Sequence, residues 1–274
     1  MTTDQGFPAD RELIESYYDD RSTPNEKDLL HQRDVLAARN PETPEWVLRK
    51  VMESASWEVL GGLAANRACP HDLFPEILER CDSFGTSAAG REAANVVRRS
   101  LAANPFASTE VIDGLLGAAD QETRRSAAAN PKASEGELAT VQKDDDDDVR
   151  LAATANLSGP PPNGAVLGDR DPRVREAAAH RRDACETLPG FARDPDASVR
   201  QAAAANLNTP PETLTDLAGD PEVSVRQAVA TNPNTPPETL TILAANPDKG
   251  VQAAAAANPN CPKAGEAAKG LMAD

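Results

Sequence analysis

The chain has 274 residues, with 28 Lys and Arg against 44 Asp and Glu for a formal charge of −16, and only 3% aromatic residues. That balance repels nucleic acid and anionic membranes over the surface as a whole, and so few aromatics exclude a bulky globular core. No apolar run approaches the roughly 20 residues that span a bilayer and MTTDQGFPAD lacks the features of a secretory leader, so a cytoplasmic location is expected.

Residues 1–32, with the short amphipathic stretch RELIESYY and its Tyr17 and Tyr18, are expected to form an N-terminal cap on a repeated array that begins at residue 33. Arg33, Val59, Val97, Thr123, Val149, Val174, Val199, Val225 and Val251 open nine repeats. Seven residues after eight of these markers stands an Asn: Asn40, Asn66, Asn104, Asn130, Asn156, Asn206, Asn232 and Asn258; the sixth repeat has Arg181 instead. The steps between markers are 26, 38, 26, 26, 25, 25, 26 and 26 residues, so the second repeat carries a 12-residue insertion, assigned to DSFGTSAAGREA at 82–93. A fixed short period means a solenoid whose repeats bury their apolar faces on one another. At 25 to 26 residues the repeat is too short for tetratricopeptide or HEAT helix pairs, at about 34 and 40 to 47 residues, so each must hold two very short helices.

The first segment of a repeat, as in Val199–Asn206, is Ala-rich and opens after Ser198, Ser224 or Asp148, each a good N-cap. It stops at Asn-Pro, because a residue before Pro is pushed out of the α region; Asn40, Asn104, Asn130, Asn232 and Asn258 all precede Pro. The second segment starts at Thr209-Pro210-Pro211-Glu212 and Thr235-Pro236-Pro237-Glu238, which put Thr at N-cap, Pro at N1 and Glu at N3, and Ser134 with Glu137 repeats this capping box. Apolar residues then recur eight and eleven positions after the Asn: Leu48 and Val51, Phe74 and Ile77, Ile112 and Leu115, Leu138 and Val141, Leu214 and Leu217, Leu240 and Leu243. That spacing faces one side of a short helix, and with the marker Val and the Ala face it makes a continuous core.

The fifth and sixth repeats depart from the pattern, reading LSGPPPNGAVLGD and HRRDACETLPGFARD, and loop changes on a repeat scaffold often mark its binding face. The tail KAGEAAKGLMAD, 263–274, is expected to cap the last repeat.

The pattern VRxAAAANPxTPxExLxxLAxDPxxS resembles the bacterial leucine-rich repeat variant over about Arg33 to Pro262. The resemblance implies an all-α, right-handed superhelical solenoid of alternating short α and 3-10 helices, here with repeats slightly longer than the usual form. It implies no common activity. One member type holds an iron–sulfur cluster on an N-terminal Cys-rich segment; here the first Cys is Cys69, so that ligand set is missing and no cofactor is expected.

Two rows of residues are candidates for function. Arg98, Arg124, Arg150, Arg175, Arg200 and Arg226 follow the marker in six consecutive repeats. They either pair with the acidic turns just upstream, such as Asp194, Asp196, Asp220 and Glu222, or with a neighbouring repeat, or they form a contact strip for an acidic protein segment or a phosphate-bearing ligand. The Asn row either satisfies orphaned backbone groups between repeats or forms a ligand-binding ladder. Asp144–Asp148 occupies a turn before Val149, where negative charge suits the helix start, and lacks EF-hand spacing. Cys69, Cys81, Cys185 and Cys261 form no CxxC pair, and with His71 and His180 they make no zinc spacing, so reduced thiols and no metal are expected. Cys69 and Cys261 precede Pro70 and Pro262, a slot where other repeats have Thr, Ser or Ala. His31, His71 and His180 are the three histidines, and no phosphate loop, nucleophile elbow or HExxH motif is visible.

The reading is a non-catalytic repeat scaffold for protein–protein interaction, with the arginine row and the irregular fifth and sixth repeats as its contacts. The alternatives are a nucleic-acid or phosphate-ligand module using the arginine row, and an enzyme or cofactor carrier with a site assembled across repeats.

Overall fold

Ala-rich segments with no interior Gly or Pro form helix at little entropic cost, and the computed structural model places one helix on each of them. It describes residues 27–54, 56–158, 166–182 and 184–262. Among these the secondary structure is helical, without strands. The chain divides into two compact units, residues 1–141 and 142–274.

In the N-terminal unit α1 (Lys27–Arg39), α3 (Trp57–Ala65), α5 (Ala88–Ala103) and α7 (Gln121–Ala128) are the first helices of successive repeats, and α2 (Glu45–Val51), α4 (Phe74–Cys81), α6 (Thr109–Leu115) and α8 (Glu135–Val141) the second. Each first helix packs on the next, α1 on α3, α3 on α5 and α5 on α7. The C-terminal unit repeats the plan. Its first helices are α9 (Asp147–Asn156), α10 (Pro172–Ala179), α12 (Ala197–Ala205), α14 (Val223–Thr231) and α16 (Lys249–Ala257), stacked in that order. Between them lie α11 (Leu188–Phe191), α13 (Pro211–Leu217) and α15 (Pro237–Ala244). Short 3-10 turns follow or precede second helices at Met52–Ser54, His71–Leu73 and Asp82–Phe84.

The core is built as the periodicity requires. Val59, Val97, Thr123, Val149, Val174, Val199, Val225 and Val251 are buried, as are the paired apolar residues of the second helices from Leu48 and Val51 to Leu240 and Leu243. In the C-terminal unit Ala204, Leu214, Val225, Val229, Leu240, Val251 and Ala255 form one contiguous cluster, and Val174, Ala178, Leu188, Phe191, Val199 and Ala203 another. Burial of a Leu contributes about 1.5–3 kcal/mol, so the stabilisation is distributed along each unit rather than concentrated in one centre.

The insertion becomes helix. Residues 82–84 form a 3-10 turn and α5 runs for 16 residues, beginning well before the marker Val97. Gly85 has φ of 80°, a conformation that glycine adopts without strain. Gly90 lies so close beneath this turn that a Cβ there would stand 2.1 Å from the Phe84 carbonyl oxygen.

Helix caps differ from the sequence expectation in two places. First helices are capped by Asp146, Asp171, Asp196 and Asp248, each side chain accepting backbone N–H groups of the first turn. Ser198 and Asp148 therefore lie inside the first turn, and Glu222 rather than Ser224 holds the N-cap position of α14 without a side-chain bond. The reason is the turn before the helix, whose Asp can reach N–H groups two or three residues ahead (Asp146 with Asp148 and Val149, for example). In the second helices Pro210 and Pro236 occupy the N-cap position and Pro211 and Pro237 open the helix. Thr209 and Thr235 stand one residue earlier, buried, and donate their hydroxyls to the carbonyls of Ala203 and Val229 at 2.5 and 2.6 Å. Each Thr hydroxyl is thus engaged by a carbonyl of the preceding helix, and the Pro at the N-cap position makes no side-chain cap bond. Ser134 does accept the Glu137 N–H, at 3.4 Å.

The expected caps at 1–32 and 263–274 lie outside the described residues, apart from 27–32 in α1, and so does 159–165 of the irregular fifth repeat.

Candidate functional site

Six Asn of the row each join the end of a first helix to the helix before. A helix end leaves four carbonyls without intrahelical partners, and the Asn amide supplies donors to two of them in the preceding repeat. Asn66 donates from Nδ2 to Ala38 and Asn40 at 2.8 and 3.0 Å, Asn130 to Ala102 and Asn104 at 2.7 and 3.0 Å, and Asn104 to Ala64 at 2.7 Å. In the C-terminal unit Asn206 reaches Ala179 and Arg181, Asn232 reaches Ala204 and Asn206, and Asn258 reaches Ala230 and Asn232, all at 2.7–2.9 Å. Each Oδ1 accepts the backbone N–H two residues on, from Ala68, Phe106, Lys132, Asn208, Asn234 and Asn260. Asn40 does the same with Glu42. Asn156 is half-buried at the end of α9. The donor and acceptor ends of a ladder amide are thus both engaged, and Asn66, Asn104, Asn130, Asn206, Asn232 and Asn258 are buried.

Two features show how strongly this geometry is imposed. Asn66 and Asn206 are followed by Arg67 and Leu207 rather than Pro, yet their ψ angles of 122° and 129° match the 117–130° of the Pro-followed Asn104, Asn232 and Asn258. In the sixth repeat Arg181 extends Nη1 to the carbonyls of Thr154 and Leu157 at 2.7 and 2.6 Å, so a longer side chain performs the same closure.

The arginine row runs along the turns, and the carboxylates gripped by Arg150, Arg175 and Arg200 sit one turn downstream, while Arg150 also reaches Asp147 just before it at 2.7 Å. Arg150 donates Nε and Nη2 to the Asp169 carboxylate, both at 2.8 Å; Arg175 does so to Asp194 at 2.7 and 2.9 Å, and Arg200 to Asp220 at 2.6 and 3.0 Å. Each Nη1 points back to the carbonyl six residues earlier: Asp144, Asp169 and Asp194 in turn. Asp169 and Asp194 therefore accept one arginine through the carboxylate and the next through the carbonyl. These side chains are 6–13% exposed on the arginine side and 5–9% on the carboxylate side. Arg226 donates Nη1 to the carbonyls of Asp220 and Pro221 at 2.7 and 2.9 Å.

In the N-terminal unit the row is looser. Arg98 pairs with Asp82 in the insertion at 2.7 Å, and Arg124 donates Nη1 to the carbonyls of Ala118 and Ala119. Beside the row, Arg99, one residue out of it, grips Asp120 through a bidentate fork at 2.8 and 2.7 Å.

The ionisation of these groups follows from the contacts. Hydrogen bonds from Arg99 hold the Asp120 carboxyl well below the usual carboxylate range, against the opposing effect of burial. Burial works to raise the Asp169 and Asp220 carboxyls, but the bonds from Arg150 and Arg200, with a backbone N–H on each, outweigh it and leave both lowered. Arg150, Arg175 and Arg200 are raised in turn, chiefly by their carboxylate partners.

The downstream acids are legible in the sequence as a further row. Asp144, Asp169, Asp194 and Asp220 recur at steps of 25, 25 and 26 residues, the repeat period itself, and the next position, Asn246, keeps the step without the acid. Arg99 and Arg181 carry no such signal, since both depend on where the chain departs from period.

The remaining candidates are taken up locally. In the acidic run, Asp146 caps α9, Asp144 accepts the Asp146 N–H, Asp147 binds Arg150 and Arg170, and Asp148 lies 3.0 Å from Arg173. Cys69 and Cys81 are buried, and burial pushes their thiols up to about 12 and about 11. His71 stacks between Phe74 and Phe106, with ring centroids 5.9 and 6.1 Å away. Among the described residues no group of three or more His, Cys, Asp or Glu is placed to hold a metal ion, and no helix is long and apolar enough to cross a membrane.

Residues 198–263 match the family described as Leucine Rich Repeat Variant domain. A solved structure described as a leucine-rich repeat variant with a novel repetitive protein structural motif is 23% identical over 82% of this chain and 84% of its own, with a TM-score of 0.59, so the two share a fold. An engineered protein (15% identity, 90% of each chain, TM-score 0.41) and a designed armadillo repeat protein in complex with the peptide (KR)4 (16%, 90% and 96%, 0.24) are more distant. No curated protein matches. The resemblance read from the repeat pattern is therefore found by the family over 198–263 and by the fold over most of the chain.

Proposed function

We propose that this chain, whose residues 198–263 match the leucine-rich repeat variant, is a non-catalytic scaffold that holds a protein partner on its repeat surface, and that the partner contributes a basic contact. The observation that carries this reading is the fate of the arginines. Arg150, Arg175 and Arg200 are turned inward onto Asp169, Asp194 and Asp220, so the cations that would have met a phosphate or an acidic segment are already matched. A phosphate would have to displace buried, bidentate carboxylates, which disfavours the nucleic-acid reading of the row. With 44 acids against 28 cations, what remains outward is an excess of carboxylate, including the exposed Glu212, Asp216 and Glu238 on α13 and α15. A preformed repeat surface has its ordering cost met on folding, so many weak contacts can add, and complementary charge raises the association rate.

The test is capture of partners from the native cell with wild type and with Glu212→Lys/Asp216→Lys/Glu238→Lys, after circular dichroism shows both folded. Basic proteins that bind directly when purified, elute with salt and are lost from the variant are the expected result. Acidic partners, or basic ones retained equally by the variant, would remove the reading. Reversing Arg150, Arg175 and Arg200 is no test of binding, because unpairing three buried carboxylates would unfold the C-terminal unit.

A further inference from the structure

The row of arginine forks has one open rung. Arg150, Arg175 and Arg200 each close Nε and Nη2 on an Asp of the next turn. For Arg226 the corresponding position is Asn246. Its Oδ1 accepts the Asp248 N–H at 3.0 Å, as the Asp220 Oδ1 accepts the Glu222 N–H at 2.9 Å, so the turn is kept and only the outer oxygen is replaced by an amide NH2. A donor now stands where the fork requires an acceptor. Accordingly Arg226 bonds to the carbonyls of Asp220 and Pro221 through Nη1, and its Nε is buried with no hydrogen-bond partner among the described residues. The neighbouring Asp220 carboxylate is already held by Arg200.

We propose that the Arg226 fork is a binding site for a carboxylate supplied from outside the fold. The three sister rungs define the ligand: a planar, two-oxygen acceptor lying edge-on to Nε and Nη2, the geometry for which a guanidinium is suited. Asn246 is only half-buried and is the group that turns aside to admit it. The site is separate from the acidic surface invoked for the scaffold function and stands or falls without it.

The experiment monitors the Arg226 Nε–H resonance of the full chain in proton–nitrogen spectra, identified by its loss in Arg226→Lys, during additions of sodium acetate, sodium phosphate and sodium chloride at matched ionic strength. Acetate should shift it saturably, with Arg175 and Arg200 unmoved, and Asn246→Asp, which closes the rung internally, should weaken the response at least about 10-fold. N-acetylglycine then stands for a chain end and N-acetylglutamic acid α-amide, which keeps its side-chain carboxylate, for an acidic side chain, and the tighter of the two identifies the source. No saturable shift, an equal response in Asn246→Asp, or phosphate binding as tightly as acetate would each overturn the assignment of a carboxylate site.

Discussion

Asn232 concentrates the logic of the ladder in a single side chain. Its amide satisfies two carbonyls of the preceding repeat and one N–H of its own turn, all buried or nearly so. Replacing it by Ala leaves these groups unpaired out of water, and each such group costs about 1–3 kcal/mol. Asn232→Ala is therefore expected to destabilise the protein by about 2–4 kcal/mol, partly offset where water reaches the turn. Urea denaturation measures this directly. A loss below about 0.5 kcal/mol would mean that the bonds do not hold the repeats together.

At the scale of the element, capping and termination are set by contacts that cross between repeats or between the helices of one repeat. Thr209 and Thr235 match an N-cap pattern, but each is drawn inward to a carbonyl of the helix before it. Asn206 ends α12 without the help of Pro because its amide is anchored to Ala179 and Arg181. The insertion illustrates the same dependence. Its residues extend α5, and the turn at 82–85 folds down onto Gly90. Gly90→Ala would ordinarily favour a helix by up to about 1 kcal/mol. Here the added methyl meets the Phe84 carbonyl, and overpacking of this kind costs about 1–3 kcal/mol, so a net loss of stability is expected. A melting temperature at or above wild type would show that the turn lifts away freely.

For the whole molecule, the paired carboxylates connect stability to pH. Asp120, Asp169 and Asp220 ionise more readily folded than unfolded. Their stabilising contribution is therefore complete above the unfolded value of about 4 and is lost as pH falls through their lower folded values. Urea midpoints are expected to be insensitive to these groups between about pH 7 and 5 and to drop below about pH 4. Relief of the −16 charge acts in the opposite direction, which measurement in moderate salt suppresses. A midpoint unchanged at about pH 3 would show that the forks contribute nothing to stability.

Period alone determined the repeats, the first helix of each and the buried apolar positions, because Val199, Leu214 and Leu217 need only face a neighbour of the same sequence to be covered. The same period also carried the acids that close the arginine forks, since Asp169, Asp194 and Asp220 recur at steps of 25 and 26 residues. Only the tertiary structure decided which carbonyl an amide reaches, which Asp an arginine grips, and that Arg99 and Arg181 act out of row. Hydrophobic burial is non-directional and follows from pattern, whereas a hydrogen bond depends on distance and angle. Those are set only once neighbouring repeats have packed.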